Sequence, residues 1–385
     1  VIQARHVATA LLILATLSVR VTSEPNEHTP EALARLIDRY RNGDEDRTVS
    51  ELAKWDPADV EAAWRKPTDA DDPKHLASAA MLHTEAGFRT DTFGEIKKDA
   101  PKWELLAGWG AEDKDISEPH DRAAWAAINE LYKRAKKAND AGMLAFVREW
   151  LILTTSYCLR WERLVCAGDL LVVGELRYKW DTQLLLLEGS TAEAAMVVPG
   201  LGAGMGMRFG NPKFPAVSTS HGVFHGEQQE VEFTLKRVLR QDPTVVEAHL
   251  RLGRTMYLLD RNHEAADELN LTLRQARASH HVFATYLSQL FLGQLREHQG
   301  DMPAAIQFYR AALQTMPRSH SAAVALGQAL VRSGNGIEGW RVARDMFGDE
   351  GLGVAPALDP WSIYRGGQYW QTASRVQAMR AVIRQ

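Results

Sequence analysis

The chain has 385 residues, enough for two or three domains or for one elongated array. Hydrophobic residues make up 45% and charged residues 24%, which describes a folded chain and excludes global disorder. A net charge of −4 argues against a nucleic-acid binder held by phosphate contacts, and 2 cysteines are too few for a disulfide-stapled scaffold or a Cys-rich zinc protein.

Arg5 and His6 precede Val7–Val19, an uncharged run of 13 residues. A membrane-spanning helix needs about 20. A basic start, a short apolar core and the small polar exit Val21-Thr22-Ser23 read as a secretory signal peptide over 1–23. The expected location is therefore outside the cytoplasm, in the periplasm or cell envelope. An uncleaved anchor or a buried helix is the alternative. No Cys stands near the cleavage region, which disfavours a lipoprotein.

Residues 24–110 read as divergent helical hairpins. Leu33, Leu36, Ile37 and Tyr40 share one face of a helix over Pro30–Tyr40, with Thr29 or Asn26 as its cap. Asn42-Gly43 ends it. Val49, Leu52, Ala53 and Trp55 predict a second short helix, and Asp56-Pro57 starts a third that reaches Trp64. Pro73–Phe88 is amphipathic, and Thr90–Ser117 is a connector with Trp103 and Trp109 as packing anchors. Helical pattern returns over 118–196 as further hairpins. Cys158 and Cys166 lie in it; in one continuous helix they stand about 12 Å apart along the axis. A bridge needs Cα atoms within about 7 Å, hence a turn near Trp161–Arg163, so two buried thiols is the simpler expectation. Period-2 alternation is scarce, so no sheet is expected. Residues 197–225 hold six glycines from Gly200 to Gly222 and read as a long loop.

From 226 to 347 the sequence repeats. Gly253, Gly293 and Gly327 are spaced by 40 and 34 residues, and Ala265, Ala305 and Gly339 repeat both intervals. A 6-residue insertion between Thr272 and Tyr286 reconciles the two. The segment Gly300–Pro317, GDMPAAIQFYRAALQTMP, resembles the second half of a tetratricopeptide repeat (TPR), with Gly293, Ala305, Tyr309, Ala312 and Pro317 on the small, aromatic and Pro positions of that family. Gly226–Pro243 supplies a lone second helix with Val231, Leu235 and Val238 in register. The resemblance implies an all-α, right-handed α-solenoid of antiparallel helix pairs, degenerate in its N-terminal half. Such pairs cannot bury their apolar faces alone and stack to do so. The arrangement is similar to exported bacterial TPR proteins whose divergent hairpins precede better-kept repeats.

In the TPR family the first helices line a concave groove that holds peptides. The resemblance carries groove positions onto Glu247, Arg251, Arg254 and Tyr257 in the first copy, Gln294, Glu297 and His298 in the second, and Gln328 and Arg332 in the third. Arg251, Arg254 and Arg332 form a basic strip suited to an acidic or C-terminal peptide, because Arg binds a carboxylate through two parallel hydrogen bonds. The family's carboxylate-clamp pattern of Lys and Asn is absent. Residues 359–385 read as a C-terminal capping helix, with Trp361, Tyr364, Tyr369 and Trp370 before Ala373, Val376, Met379 and Val382; an Arg-aromatic partner patch is the alternative. Charge is unevenly placed: Glu24–Asp72 carries 14 acidic and 7 basic residues, and Trp361–Gln385 carries 4 Arg and no acid.

Catalytic patterns are missing. The Gly200–Gly206 run lacks the Lys-Ser/Thr of a phosphate loop, and no nucleophile elbow or His-Glu-x-x-His motif occurs. His221 and His225, followed by Glu227 and Glu230, have helical zinc-ligand spacing, but Gly222 and Gly226 break the helix such ligands need. His280-His281 falls at the insertion and reads as surface or packing. The expectation is a non-enzyme with no cofactor and no metal: a protein-binding scaffold or adaptor of the bacterial envelope, with an unidentified protein or peptide partner and no nucleic acid. Alternatives are an envelope assembly factor touching membrane or cell-wall material through the Gly-rich loop and tail, and a metal-dependent hydrolase.

Overall fold

The computed structural model describes residues 28–90, 118–160, 164–179, 181–197, 217–224, 227–347, 360–365 and 372–385. The expected signal segment 1–23, Trp103, Trp109, Gly200–Gly206, His225, Tyr369 and Trp370 lie outside these residues.

Helix α1 (Pro30–Arg41) buries Leu33, Leu36, Ile37 and Tyr40, the face its spacing predicts. Thr29 caps it: the hydroxyl oxygen accepts from the Ala32 N–H at 3.2 Å, and Pro30 occupies a first-turn position whose N–H has no helical partner anyway. Helices α2 (Glu45–Leu52) and α3 (Pro57–Ala63) follow, and α1 to α3 pack onto α4 (Pro73–Thr90) and α5 (Pro119–Ala138). From α4 onward the helices pair: α4 with α5, α6 (Ala141–Arg160) with α7 (Leu164–Arg177), and α8 (Thr182–Val197) with α9 (Glu227–Gln241). The series continues as α10 (Val246–Leu258) with α11 (Asn262–Ala278), α12 (Val282–His298) with α13 (Met302–Thr315), and α14 (His320–Arg332) with α15 (Gly336–Phe347). Each second helix from α5 to α13 also packs on the first helix of the next pair, which makes the stack an α-solenoid.

The lone second helix seen in the sequence has its partner after all. Helix α9 packs on α8, across the residues between 197 and 227. A Cβ placed at Gly189 would lie 2.6 Å from Leu235 Cδ2, just as one at Gly253 would lie 2.8 Å from Leu269 Cγ. The repeat is therefore one copy longer, with a long insertion between its helices. A small antiparallel hairpin, β1 (Val217–Thr219) and β2 (Gly222–Phe224), sits in that insertion, within the segment 197–225 that reads as a loop. The six-residue insertion before Tyr286 forms no loop. It lengthens α11 and α12 to 17 residues each, with His280 in the left-handed region at the tip and His281 capping α12 through the Ala284 N–H.

The glycines mark close crossings. A Cβ at Gly293 would penetrate the Tyr309 ring, which is fully buried and held by a 2.6 Å hydrogen bond from its hydroxyl to Glu297. At Gly327 a Cβ would lie 3.4 Å from the Gly339 carbonyl oxygen, whereas at Gly339 it would lie 2.8 Å from the Gly327 oxygen, which explains Gly339 where the other copies carry Ala265 and Ala305. Gly293→Ala is expected to lower stability by about 2 kcal/mol through overpacking. Gly327→Ala should stay within about 1 kcal/mol of wild type, because improved helix propensity offsets the tight contact. Urea denaturation of both variants measures the difference; equal effects would refute it.

Cys158 and Cys166 are disulfide-bonded, with Cα atoms 6.0 Å apart, which corrects the expectation of two thiols. Helix α6 ends at Arg160 and α7 begins at Leu164, and the two pack on each other, so the cysteines stand on separate helices and come within bridging distance. Replacing both cysteines by Ser is expected to cost about 2–3 kcal/mol for so short a loop. Unfolding curves with and without reductant should reproduce that cost in the wild type only.

His83 on α4 faces His120 on α5 inside the core, with the two Nδ1 atoms 3.1 Å apart. Burial, and then the charge of His120, holds His83 well below its usual value; burial brings His120 down to about 4. The unfolded chain takes up these protons near pH 6.5 and the folded chain only at lower pH. Stability should thus be level above that pH and fall as pH drops toward 4, His120 alone contributing about 3 kcal/mol. Denaturation midpoints at about pH 7.5 and about pH 4.5 test this; equal values would contradict it.

The described helices of the C-terminal segment pack on earlier helices, which corrects their reading as a cap on the last pair. Helix α16 (Pro360–Arg365) packs on α12 and α6, and α17 (Thr372–Arg384) packs on α6 and α4. The tail runs back along the solenoid toward its N-terminal end. The acidic groups that receive its arginines stand on α6, α4 and α2, which is the physical reason for this course.

Candidate protein-binding groove

The first helices of successive pairs, α4, α6, α8, α10 and α12, touch in series and share one face. The tail lies on that face. At its centre, Glu193 of α8 is 1% exposed. Its carboxylate accepts from Arg251 at 2.7 Å, from Arg254 at 2.6 Å and from the Tyr364 hydroxyl of the tail. Arg251 also donates to Glu247 at 2.9 Å and to the Tyr364 carbonyl at 3.0 Å. Each guanidinium lies over a tail ring, Arg251 at 4.4 Å from the Tyr364 centroid and Arg254 at 4.8 Å from that of Trp361. Phe291 of α12 meets both rings edge-on. Burial alone would push the Glu193 carboxyl up, but Arg254 and Arg251 outweigh it and hold it below the usual carboxylate value.

Further along, α17 inserts arginines among acids. Arg375 pairs with Glu149 of α6 and donates to Gln183 at 2.9 Å. Arg380, 4% exposed, pairs with Glu85 of α4 and with Asp46 at 3.0 Å, and Tyr40 donates to the same Glu85 at 2.5 Å. Arg384 reaches Glu45 at 2.6 Å. The tail's arginines thus pair with acids of the same chain, Glu45 and Asp46 within the acidic N-terminal stretch and Glu85 and Glu149 beyond it.

This places each residue expected in the groove. Arg251 and Arg254 do lie on the shared face, but they are buried, so the expected solvent-facing basic strip is corrected there: a buried guanidinium needs a counter-charge, and Glu193 with the tail supplies it. Glu247 serves Arg251. Beyond Trp361 no described residue fills the groove. Tyr257, Gln294, Glu297, His298 and Arg332, with Arg254 and Trp361, line a polar cleft of about 590 Å3. Arg332 pairs with Glu297 but its side chain is 58% exposed, and Gln328 is exposed beside it. The packing residues Gly253, Ala265, Gly293, Ala305, Tyr309, Ala312 and Gly327 all stand at helix–helix contacts or in the core. Trp361, Tyr364, Arg375 and Arg380 are occupied in the groove, which removes them from an exposed Arg-aromatic patch. At the last pair Val324, Val331 and Trp340 remain exposed around an apolar cleft.

Sequence reasoning missed Glu193, Glu85 and Glu149. The uneven charge of the two ends points only to Glu45 and Asp46, which meet Arg384 and Arg380; Glu85, Glu149 and Glu193 lie outside the acidic stretch and carry no local signal. His221 stands in the turn between β1 and β2 and not on a helix, where it faces Asp260, Tyr257 and His298. Among the described residues no helix is long and apolar enough to cross a membrane.

These features define the class: a TPR-like α-solenoid whose groove is partly filled by its own tail. No family model matches the sequence. A TPR repeat-containing protein of Arabidopsis thaliana is 32% identical over 101 residues, which is 26% of this chain; the match spans 13% of that protein's length. A thermophilic TPR protein of Thermus thermophilus covers 54% of this chain and 90% of its own, at 18% identity and a TM-score of 0.37. The MamA protein covers 52% and 90%, at 17% identity and a TM-score of 0.34. The helix pairing described above stands on its own packing and not on these overlaps.

Proposed function

We propose that the chain is a non-enzymatic protein-interaction scaffold whose partner enters the open stretch of the groove between Tyr257 and Arg332. The observation that carries this reading is the tail: the shared face already holds two helices of this chain, α16 and α17, by aromatic, arginine and carboxylate contacts. The open stretch continues the same face with polar side chains at Gln294 and Gln328 and with Arg332, which is exposed beside its partner Glu297. A carboxylate-bearing peptide suits Arg332. Cross-linking of the full chain in its native cells, with mass spectrometry of what is captured, tests it against an Arg332→Glu/Gln328→Glu variant. Both side chains are exposed, so the variant should fold. A partner held by wild type and lost by the variant supports the groove; a partner held equally by both overturns it.

An extracytoplasmic setting is part of the same proposal. The Cys158–Cys166 bridge supports it, because disulfides persist where the compartment is oxidising. Trapping free thiols before lysis tests it: labelling of both cysteines in cells would count against export.

A further inference from the structure

We propose that His221, Asp260 and His298 together bind one divalent transition-metal ion of the zinc class at the rim of the groove. The three come from separate parts of the chain. His221 occupies the turn between β1 and β2, Asp260 the turn between α10 and α11, and His298 the last turn of α12. Each histidine points its Nε2 at the same carboxylate oxygen, Asp260 Oδ1, at 3.7 Å, and all three donor atoms lie within 4.8 Å of one another. A tetrahedral ion with bonds of about 2.0–2.1 Å spaces its donors by about 3.4 Å, so small rotations of the rings close the set.

Two further observations point the same way. His221 Nε2 is buried and meets no hydrogen-bond partner among the described residues, which is costly unless something else satisfies it. Asp260 sits at φ 57, at the turn position where the next two repeats carry Gly300 and Gly334 at φ 79 and 90. A carboxylate is thus kept where the backbone favours glycine.

The surroundings orient the donors. The Ser220 N–H donates to Asp260 Oδ2 at 2.7 Å and its hydroxyl to Oδ1 at 2.5 Å, the kind of outer contact that aims a ligand. The Tyr257 ring lies 4.4 Å from His221 and edge-on to His298 at 6.0 Å, limiting both imidazoles. Two imidazoles and one carboxylate select zinc, cobalt, nickel or copper over calcium or magnesium, which take oxygen ligands. Arg254 is the nearby cation, and Glu193 neutralises it. Three protein donors leave a fourth position for water or for a side chain of a partner. The ion would fasten the inserted hairpin to two adjacent repeats.

The test uses the full chain, stripped with a chelator and titrated with zinc chloride by calorimetry, with cobalt absorption as a second readout. One zinc per chain is expected. His298→Gln should weaken it by more than ~10-fold, and Ser220→Ala by about 10-fold, while His263→Gln at an exposed site should not change it. Circular dichroism of the metal-free His298→Gln chain, matching wild type, shows that folding is unaffected; should it not match, Ser220→Ala decides. No stoichiometric zinc, or zinc affinity unchanged in both variants, overturns the proposal. Neither outcome bears on whether the groove binds a protein.

Discussion

Glu193→Ala is expected to destabilise the chain by about 3–5 kcal/mol, because it leaves buried guanidinium groups without their counter-charge. Arg251 retains Glu247 and the Tyr364 carbonyl, so Arg254 bears most of the loss. The Tyr364 hydroxyl loses its acceptor too, which loosens α16. The wild-type carboxyl titrates below its ordinary value of 4.5, so the cluster's contribution is complete above that pH and is lost as pH falls further. Urea denaturation at neutral pH measures the substitution. A cost below about 1 kcal/mol would mean the cluster is solvated and the tail loosely held.

Arg380→Ala is expected to cost a similar amount, about 3–5 kcal/mol, with a different signature. It strips the buried Glu85 of its cation while Tyr40 still donates to it. Local release of α17 relieves that carboxylate at less cost than global unfolding. Limited proteolysis should therefore cut the tail of the variant under conditions where wild type is intact, before the rest of the solenoid unfolds. Arg384→Ala is the contrast: its side chain is 47% exposed, so its loss should stay near 1 kcal/mol or below. Equal protection of the tail in all three proteins would remove α17 from the groove.

Helix positions in the N-terminal half were legible wherever apolar spacing was strong. The α1 face of Leu33, Leu36, Ile37 and Tyr40 followed from periodicity, and its cap from Thr29. Helix α2 begins at Glu45, earlier than Val49, because its first turn holds polar residues that carry no periodic signal; Glu45 and Thr48 are nonetheless buried. The pairing of α8 with α9 was hidden for another reason. A fixed period cannot be followed across an insertion as long as the one before Glu227, so Gly189 stood apart from Gly253, Gly293 and Gly327 although it does the same work.

The amino-acid sequence by itself determined the helical pairs from Val246 to Phe347 and the close-packed Gly253, Gly293 and Gly327, because both depend on residues a few places apart or one repeat apart. It also held the charge imbalance between the two ends. Only the tertiary structure decided which acids receive the tail. Tyr364 meets Glu193 across 171 residues, and Arg380 meets Glu85 across 295. Such contacts arise from the way the stacked first helices bring their acids onto one face, and no local pattern encodes that. The same holds for His221, Asp260 and His298, three ordinary turn and helix-end residues until the inserted hairpin folds back onto α10 and α12.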